Sequence, residues 1–366
     1  MTTPGPEGSY DPPVGPADGP TSAGRRGQRV TISDLARRLH ISKASVSYAL
    51  NGRSGVSEQT RQRVLSLAEE LGFHPNSAAV ALSASKARTI GIVIARDPAL
   101  ISTEAFYMRT LVGIEQYLNE VDSSLLLRLT AEHGEDLDVL RRWSRQGRVD
   151  GFILFDEHDD DPRVAMVKEL GIPCVVVSSN APQDGVGRLI TSPLETVTLL
   201  LDHLAGLGHT EITHVSGPFT FVHERLRVKL LFEHAEHRGI RVTHIEGSYR
   251  YEDGANVTRA LLAEPHRPTA LVLGNDLMAV AALRVANELG AAVPDELTIV
   301  AWDDSPLCEL ALPGITAVDQ HTMERGRMAA DLLFQIVAGD PGLHRETPSG
   351  TLRIRGSSAT AARRTG

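Results

Sequence analysis

The sequence predicts a small N-terminal helix-turn-helix domain followed by a two-lobed α/β core with parallel sheets. Before residue 75, three short helical stretches each begin at a capping residue. After residue 88, runs of Val, Ile and Leu of strand length alternate with amphipathic helical stretches, which is typical of parallel sheets buried on both faces. The length of 366 residues favours two or three domains over a single core.

The first 28 residues are dense in proline, glycine and small polar residues. Such a segment buries too little apolar surface to offset the entropy of ordering it. We therefore predict a disordered tail over residues 1–28. Its basic end, at Arg25, Arg26 and Arg29, should attract phosphates without reading base sequence.

Residues 29–74 carry the signals of three helices. Thr31 and Asp34 have the spacing of a capping box for the first helix, Ser42 caps the second, and Ser57 caps the third. A three-residue turn between the first two helices predicts a helix-turn-helix module.

The second helix of this module has two contrasting faces. Its apolar residues lie on one side and should pack against the other helices. In a helix-turn-helix, the second helix enters the major groove with its first residues nearest the bases, and here these are Lys43 and Ala44. A lysine can donate to guanine, and an alanine can contact a thymine methyl group. The short polar residues around them predict contacts to DNA phosphates: Ser42, Ser45, Ser47 and Asn51.

Charge is distributed unevenly along the chain. The formal net charge is −9, yet residues 25–88 hold 11 Lys and Arg against 4 Asp and Glu. A basic segment on an acidic body predicts that nucleic acid meets one end of the protein. Chance clustering would give the same counts, so the charge only supports the prediction made from the helices.

The composition predicts a soluble cytoplasmic protein without a membrane partner. No apolar run approaches the roughly 18 to 20 residues needed to cross a bilayer, and the N-terminus lacks the pattern of a secretion signal. Cys174 and Cys308 are the two cysteines, and we expect two reduced thiols rather than a disulfide.

Residues 89–366 should form the core. The buried-strand runs include "TIGIVIA", "GFILF", "PCVVVS", "TALVLG" and "LTIVAW". These runs are too numerous for one compact parallel sheet, so we expect two lobes. The chain should pass between them near residues 187–195 and again near 303–320.

Several ordered blocks are similar to the lactose/galactose repressor family. The stretch over residues 30–94 matches in order, spacing and capping residues, and the likeness continues through "QGRVDGFILF", "LAGLGHTEITHVSG", "RPTALVLGNDLMAVAAL" and "VPDELTIVAWDDSPL". The resemblance implies a homodimeric transcriptional regulator, a repressor, that binds a palindromic operator in double-stranded DNA. It further implies a core like type I periplasmic binding proteins that senses a small molecule.

The resemblance also assigns roles in DNA binding. It implies that Lys43 and Ala44 are the principal base readers, with Tyr48 one turn later. It implies that residues 75–88 form a hinge in which Leu82 wedges into the minor groove and bends the duplex. Val80 stands where the family usually has arginine, so a minor-groove cation is missing at that position.

In the core, the resemblance implies an effector held between the lobes. The matching positions are Phe106, Tyr107, Phe221, Arg227, Tyr249 and Asp276. Aromatic faces can stack on a ring, while Arg227 and Asp276 can bond hydroxyl groups, so a sugar or a nucleoside is expected. Phe221 and His223 stand where purine-sensing relatives carry polar contacts, which disfavours a purine. Ordinary core packing is the alternative for each aromatic residue.

Other classes of function are less well supported. The acidic stretch "FDEHDDDP" at residues 155–162 lacks the ligand spacing of a calcium or zinc site, and we expect a solvated loop. No local pattern indicates catalysis, so we expect neither an enzyme nor a cofactor. A solute-binding receptor with the same core and no DNA role is the alternative function, and the helix-turn-helix argues against it.

Overall fold

The computed structural model describes most of the chain. The described residues are 30–73, 86–131, 134–180, 185–340 and 343–358. The predicted tail and most of the predicted hinge, with Val80 and Leu82, lie outside these ranges. The chain divides into two compact units, Met1–Val80 and Ala81–Gly366.

The described part of the first unit is a three-helix headpiece. Its helices are α1 Ile32–Leu39, α2 Lys43–Leu50 and α3 Glu58–Glu70. The predicted capping box is present, because Asp34 N donates to Thr31 Oγ1 at 3.3 Å and Thr31 N donates to Asp34 Oδ2 at 3.0 Å. Buried side chains from all three helices form one core: Leu35, Ala36, Val46, Ala49, Val64 and Ala68.

The second unit alternates strands and helices. In chain order, its first elements are β1 Thr89–Ala95, α4 Pro98–Ile101, α5 Ala105–Glu120, β2 Ser124–Thr130, α6 Glu135–Arg145, β3 Gly151–Leu154, α7 Pro162–Glu169, β4 Cys174–Ser178 and β5 Gly187–Ile190. Next come α8 Leu194–Gly206, β6 Glu211–Ser216, α9 Val222–Ala235, a 3-10 turn at Glu236–Arg238, β7 Arg241–Glu246, α10 Tyr251–Ala263, β8 Ala270–Leu273, α11 Asp276–Glu288, β9 Thr298–Ala301, α12 Pro306–Leu310 and β10 Thr316–Asp319. The last are α13 Thr322–Ala338, β11 His344–Glu346 and β12 Thr351–Arg353.

These elements build the two predicted lobes on two six-stranded sheets. Lobe 1 has the strand order β11-β5-β4-β3-β1-β2, and lobe 2 has the order β12-β10-β9-β8-β6-β7. All neighbouring strands are parallel except β12, which runs antiparallel to β10. Successive residues of β1, such as Ile92 and Val93, enter separate apolar clusters on the two faces of the sheet. The predicted fold class is therefore confirmed.

The chain passes between the lobes three times. The passages are residues 191–193 after β5, 320–321 after β10, and 347–350 between β11 and β12. The third passage was not predicted, because β11 and β12 have only three residues each and contain no buried apolar run.

Both cysteines are buried free thiols. Within the described ranges, no helix is both long and apolar enough to cross a membrane.

Candidate functional site

Helix α2 presents a polar surface opposite its packed face. Val46 and Ala49 are buried in the headpiece core, whereas Lys43 and Ala44 are exposed at the first turn of the helix. The Tyr48 ring is 40% exposed one turn later. The structure therefore places the predicted base-reading side chains together on the accessible side of α2.

The short polar residues of α2 hold the ends of the helix. Ser45 N donates to Ser42 Oγ at 3.0 Å, and the two hydroxyl groups lie 2.8 Å apart. At the other end, Asn51 Nδ2 donates to the backbone oxygen of Ser47 at 2.9 Å. Hydroxyl groups can make more than one hydrogen bond, so these caps leave room for a phosphate contact.

The second site is the cleft between the lobes, at the carboxyl ends of the central strands. This is where open α/β sheets bind ligands. Five of the six predicted effector contacts line the cleft: Phe106, Tyr107, Arg227, Tyr249 and Asp276. Phe221 does not line it, because its ring lies beneath the Arg96 guanidinium at 4.6 Å and beside the His158 ring at 5.3 Å. As a direct ligand contact, Phe221 stays a prediction from the resemblance.

Two contacts hold the Arg227 side chain in place. Its Nη1 donates to Glu224 Oε1, and its guanidinium carbon lies 4.1 Å from the centre of the Trp302 ring. Burial opposes ionisation of Glu224, but the charge of Arg227 holds the pKa of that carboxyl below its usual value. Arg227 Nε is buried without an acceptor among the described residues, so it can donate to a ligand.

Tyr249 connects to the same carboxylate. Its backbone is left-handed with φ 66°, and its hydroxyl donates to Glu224 Oε1 at 2.6 Å. His223 Nε2 lies 3.1 Å from the Tyr249 hydroxyl, and burial lowers the pKa of His223 to about 4. Glu224 thus fixes both the aromatic wall and the cation of this side of the cleft.

Two carboxyl groups of lobe 2 face the cleft. Asp276 Oδ1 accepts from Leu277 N at 2.8 Å, whereas its buried Oδ2 has no donor among the described residues. Burial raises the pKa of Asp276, and burial raises the pKa of Asp303 to about 7. Gln320 Nε2 donates to Asp303 Oδ1. Asp303 and Gln320 were not predicted, although "WDD" directly follows a buried strand.

A buried cluster of charged side chains lines the lobe 1 side of the cleft. Arg96 Nε donates to Asp156 Oδ2 and its Nη1 donates to Glu104 Oε1, both at 3.2 Å. Burial raises the pKa of Glu104 to about 8. For Asp156, burial acts in the same direction, but the charge of Arg96 outweighs it and holds the pKa below its usual value. The two carboxyl partners of Arg96 therefore differ in the direction in which their pKa values move.

This cluster was not predicted from the sequence. Residues 155–162 were expected to form a solvated loop, yet Asp156, Glu157 and Asp161 are largely buried and paired with arginines. The position of these residues in the sequence could have indicated the cluster, because Arg96 and Asp156 each follow the end of a buried strand. No three potential metal-ligating side chains of the described residues are arranged to hold a metal ion.

Comparison with known proteins decides the family. A model of the lacI family of bacterial regulatory proteins matches residues 31–76, and a periplasmic binding protein-like domain matches residues 201–358. The HTH-type transcriptional regulator CelR of Thermobifida fusca is 31% identical over 331 residues, which cover 86% of this chain and 94% of CelR. The chain belongs to the lacI family. As a member of the lacI family, it is a DNA-binding transcriptional repressor with an effector-binding core.

Other members of the lacI family are similar over most of the chain. The ribose operon repressor of Escherichia coli K12 is 28% identical over 308 residues, covering 83% of this chain and 92% of that protein. A solved complex of CelR with cellobiose has 27% identity and a TM-score of 0.69, covering 90% of this chain and all of that one. The Lac repressor dimer bound to operator has a TM-score of 0.78 at 24% identity over 91% of this chain, which shows a shared fold. The headpiece match sets aside the alternative of a solute receptor without a DNA role.

Proposed function

We propose that the protein is a homodimeric repressor whose operator binding is controlled by a carbohydrate in the inter-lobe cleft. The observation that carries this proposal is the combination of unpaired buried groups and aromatic rings in the cleft. Asp276 Oδ2 offers an acceptor, and Arg227 Nε and Arg325 Nε offer donors. A sugar hydroxyl both donates and accepts, so it can satisfy either kind of group.

The rings of the cleft suit the same class of ligand. Phe106, Tyr107, Tyr249 and Trp302 line it. The partly exposed Phe106 ring can pack on the apolar face of a sugar ring, while Arg96 and Arg227 lie over Tyr249 and Trp302. Two of the relatives described above are a cellobiose complex and a ribose operon repressor. Both support a sugar over a nucleoside, which stays the second candidate.

The homodimer is supported by apolar side chains outside the core. Met108 and Val112 lie one turn apart on α5, and Leu127 and Leu129 lie on one side of β2, the edge strand of lobe 1. After α12, Leu312 is 88% exposed. Exposed apolar groups on an unpaired edge strand favour association, and we propose that these side chains of lobe 1, together with Leu312 of lobe 2, contact a second copy of the chain.

The proposed domains follow the sequence prediction. The tail is 1–28, the headpiece is 29–74, the hinge is 75–88 and the core is 89–366. A dimer presents two α2 helices, so the operator should be a palindrome with half-sites one helical turn apart or a multiple of it. In this proposal Lys43, Ala44 and Tyr48 read bases, and Leu82 enters the minor groove.

The test is binding by the full chain. Thermal unfolding with a panel of neutral sugars and nucleosides should show a rise in Tm for a sugar, because a ligand of the folded state stabilises it. Asp276→Ala should remove this rise, whereas Asp138→Ala, the same change at an exposed site on α6, should retain it. A nucleoside-only response would contradict the carbohydrate assignment, and a monomer by sedimentation would contradict the dimer.

A further inference from the structure

We propose that Arg96 is an inter-lobe clamp: its buried guanidinium joins acidic groups of lobe 1 to aromatic rings of lobe 2 and so holds the cleft closed. The inference rests on the proposed function only for its consequence, namely that closure shapes the effector site. It assigns to Arg96 a positioning role for the cleft.

In lobe 1, Arg96 is anchored by geometry that leaves it little freedom. Its side chain is only 8% exposed, and it donates to both Asp156 and Glu104. The Tyr107 hydroxyl donates to the same oxygen of Asp156, and the Arg96 guanidinium carbon lies 5.5 Å from the centre of the Tyr107 ring. The cation therefore belongs to a fixed part of lobe 1.

In lobe 2, the same guanidinium meets two rings. The distance from its carbon is 4.6 Å to the centre of Phe221 and 5.0 Å to that of Tyr249. Both distances are within the range of cation–π attraction, which is stronger where water is excluded. This contact explains why Phe221 is turned away from the cleft, since its face is occupied by Arg96.

The clamp also reaches the ligand-facing residues of lobe 2. Tyr249, which stacks on Arg96, donates to the Glu224 carboxylate, and that carboxylate holds Arg227. Separation of Arg96 from Tyr249 would free the first member of this chain of contacts. Closure of the cleft and the orientation of Arg227 are therefore linked through the side chains of Arg96, Tyr249 and Glu224.

Among the described residues, the two ion pairs that join the lobes are weaker candidates for this role, and Arg109 joins the lobes through a single, part-buried hydrogen bond to the backbone oxygen of Asp304. Arg250 and Asp97 lie 2.6 Å apart, but their side chains are 52% and 38% exposed. Arg225 and Asp159 are also 2.6 Å apart, and Asp159 is mostly exposed. Exposed ion pairs contribute little because solvent screens them. Arg96 differs because its contacts are buried on both sides of the cleft.

One backbone hydrogen bond reports directly on closure. Val222 N, in lobe 2, donates to the backbone oxygen of Glu157 in lobe 1 at 3.0 Å. The Val222 amide exchanges with solvent only when this bond opens, so its hydrogen-exchange rate measures lobe separation. The measurement needs no effector and no DNA, so failure of the carbohydrate assignment would leave its result unchanged.

The decisive variants are Arg96→Met and Phe221→Leu, made in the full chain. Arg96→Met keeps an unbranched side chain and removes the guanidinium, and Phe221→Leu removes a lobe 2 ring that contacts Arg96 and the His158 ring while all lobe 1 residues stay as they are. We expect both to speed exchange of the Val222 amide by about tenfold, while amides inside β1 and β6 keep their protection. Arg345→Met is the control, because Arg345 is a half-buried arginine paired with Asp331 inside lobe 1, away from the segment that carries Asp156 and Glu157, and it should leave Val222 unchanged.

Each outcome decides the proposal. If Arg96→Met loses sheet protection as a whole, Phe221→Leu carries the test, because it leaves the buried charges of lobe 1 in place. Faster exchange confined to Val222 and its neighbours supports the clamp. Unchanged Val222 exchange in a folded Arg96→Met or in Phe221→Leu overturns it, and so does an equal acceleration in Arg345→Met.

Discussion

At the scale of single residues, the position of a charged side chain in the fold decides whether it binds DNA or ligand or stabilises the folded protein. Lys43 is exposed at the first turn of α2, with no stabilising role in the headpiece core. Arg163, by contrast, is buried and bonded to Asp161 and to the backbone of Phe155. Substitution of Lys43 should therefore affect DNA recognition, whereas substitution of Arg163 should affect the stability of the core.

Lys43→Ala should relax base preference at one position of each half-site. A bidentate contact to a base contributes roughly 1–3 kcal/mol of discrimination. Arg26→Ala, in the N-terminal segment, should weaken all DNA sequences alike and reduce the salt dependence. Binding to a library of randomised sites distinguishes the two effects. Uniform weakening by Lys43→Ala would remove Lys43 from the base readers.

Buried carboxyl groups predict how stability depends on pH. The pKa of Glu104 is raised to about 8 and that of Asp303 to about 7, so the folded protein retains protons that the unfolded chain has released. The free energy of unfolding should therefore fall as pH rises from about 6.5 to 8, by up to about 1.4 kcal/mol per pH unit for each proton. Between about pH 4 and pH 6.5, His214 and His223 oppose this fall. Their pKa values are lowered to about 4 in the folded protein, so the unfolded chain binds more protons and the free energy of unfolding rises with pH.

Urea unfolding across this pH range checks the prediction. Glu104 faces Arg96, Asp156 and Tyr107, and Glu104→Gln replaces a protonated carboxyl by an amide of the same shape. The variant should lose more than half of the slope, because Glu104, with the higher pKa, keeps its proton over more of this pH range than Asp303 does. An unchanged slope would show that Glu104 is ionised throughout.

At the scale of elements, a close helix crossing packs α13 onto lobe 1. A Cβ atom at Gly113 of α5 would lie 1.8 Å from the backbone oxygen of Met323, and one at Gly326 of α13 would lie 2.1 Å from that of Thr110. The two glycines let the helix backbones approach each other. Because α13 follows the second passage between the lobes, this crossing fixes where that passage enters lobe 1.

Gly113→Ala should destabilise the core by about 1–3 kcal/mol, since backbone must move to admit the methyl group. Gly206→Ala is the matched control, because Gly206 ends α8 and a Cβ there meets nothing within 4 Å. That variant should be neutral or stabilising by up to about 1 kcal/mol. Equal effects of the two substitutions in chemical denaturation would contradict the close packing of α5 and α13.

Local patterns predicted the elements well where burial or capping was involved. Thr31, Ser42 and Ser57 cap the helices that their spacing indicated, and long Val/Ile/Leu runs became central strands. β11 and β12 were missed, because an edge strand of three residues has no distinctive pattern. The Arg96 cluster was missed for another reason: its partners come from four separate segments, and only the fold brings them together.

At the scale of the whole molecule, the proposed repressor must couple the DNA-binding helix α2 to the effector cleft. An effector changes the lobe arrangement only by its difference in affinity for the two arrangements. By linkage, the factor by which effector changes operator affinity equals the factor by which operator changes effector affinity, typically 5- to 150-fold. The inter-lobe contacts of Arg96 and the passages between the lobes are the elements through which this difference would act.

The most direct test is operator affinity with and without the sugar that raises Tm, in the wild type and in Asp276→Ala. The wild type should change its affinity at least about fivefold, whereas Asp276→Ala should bind operator equally well and not respond, because it loses the buried acceptor for a ligand hydroxyl. Asp138→Ala should respond as the wild type does. A normal response in Asp276→Ala would remove Asp276 from the effector site and contradict the assignment of the cleft.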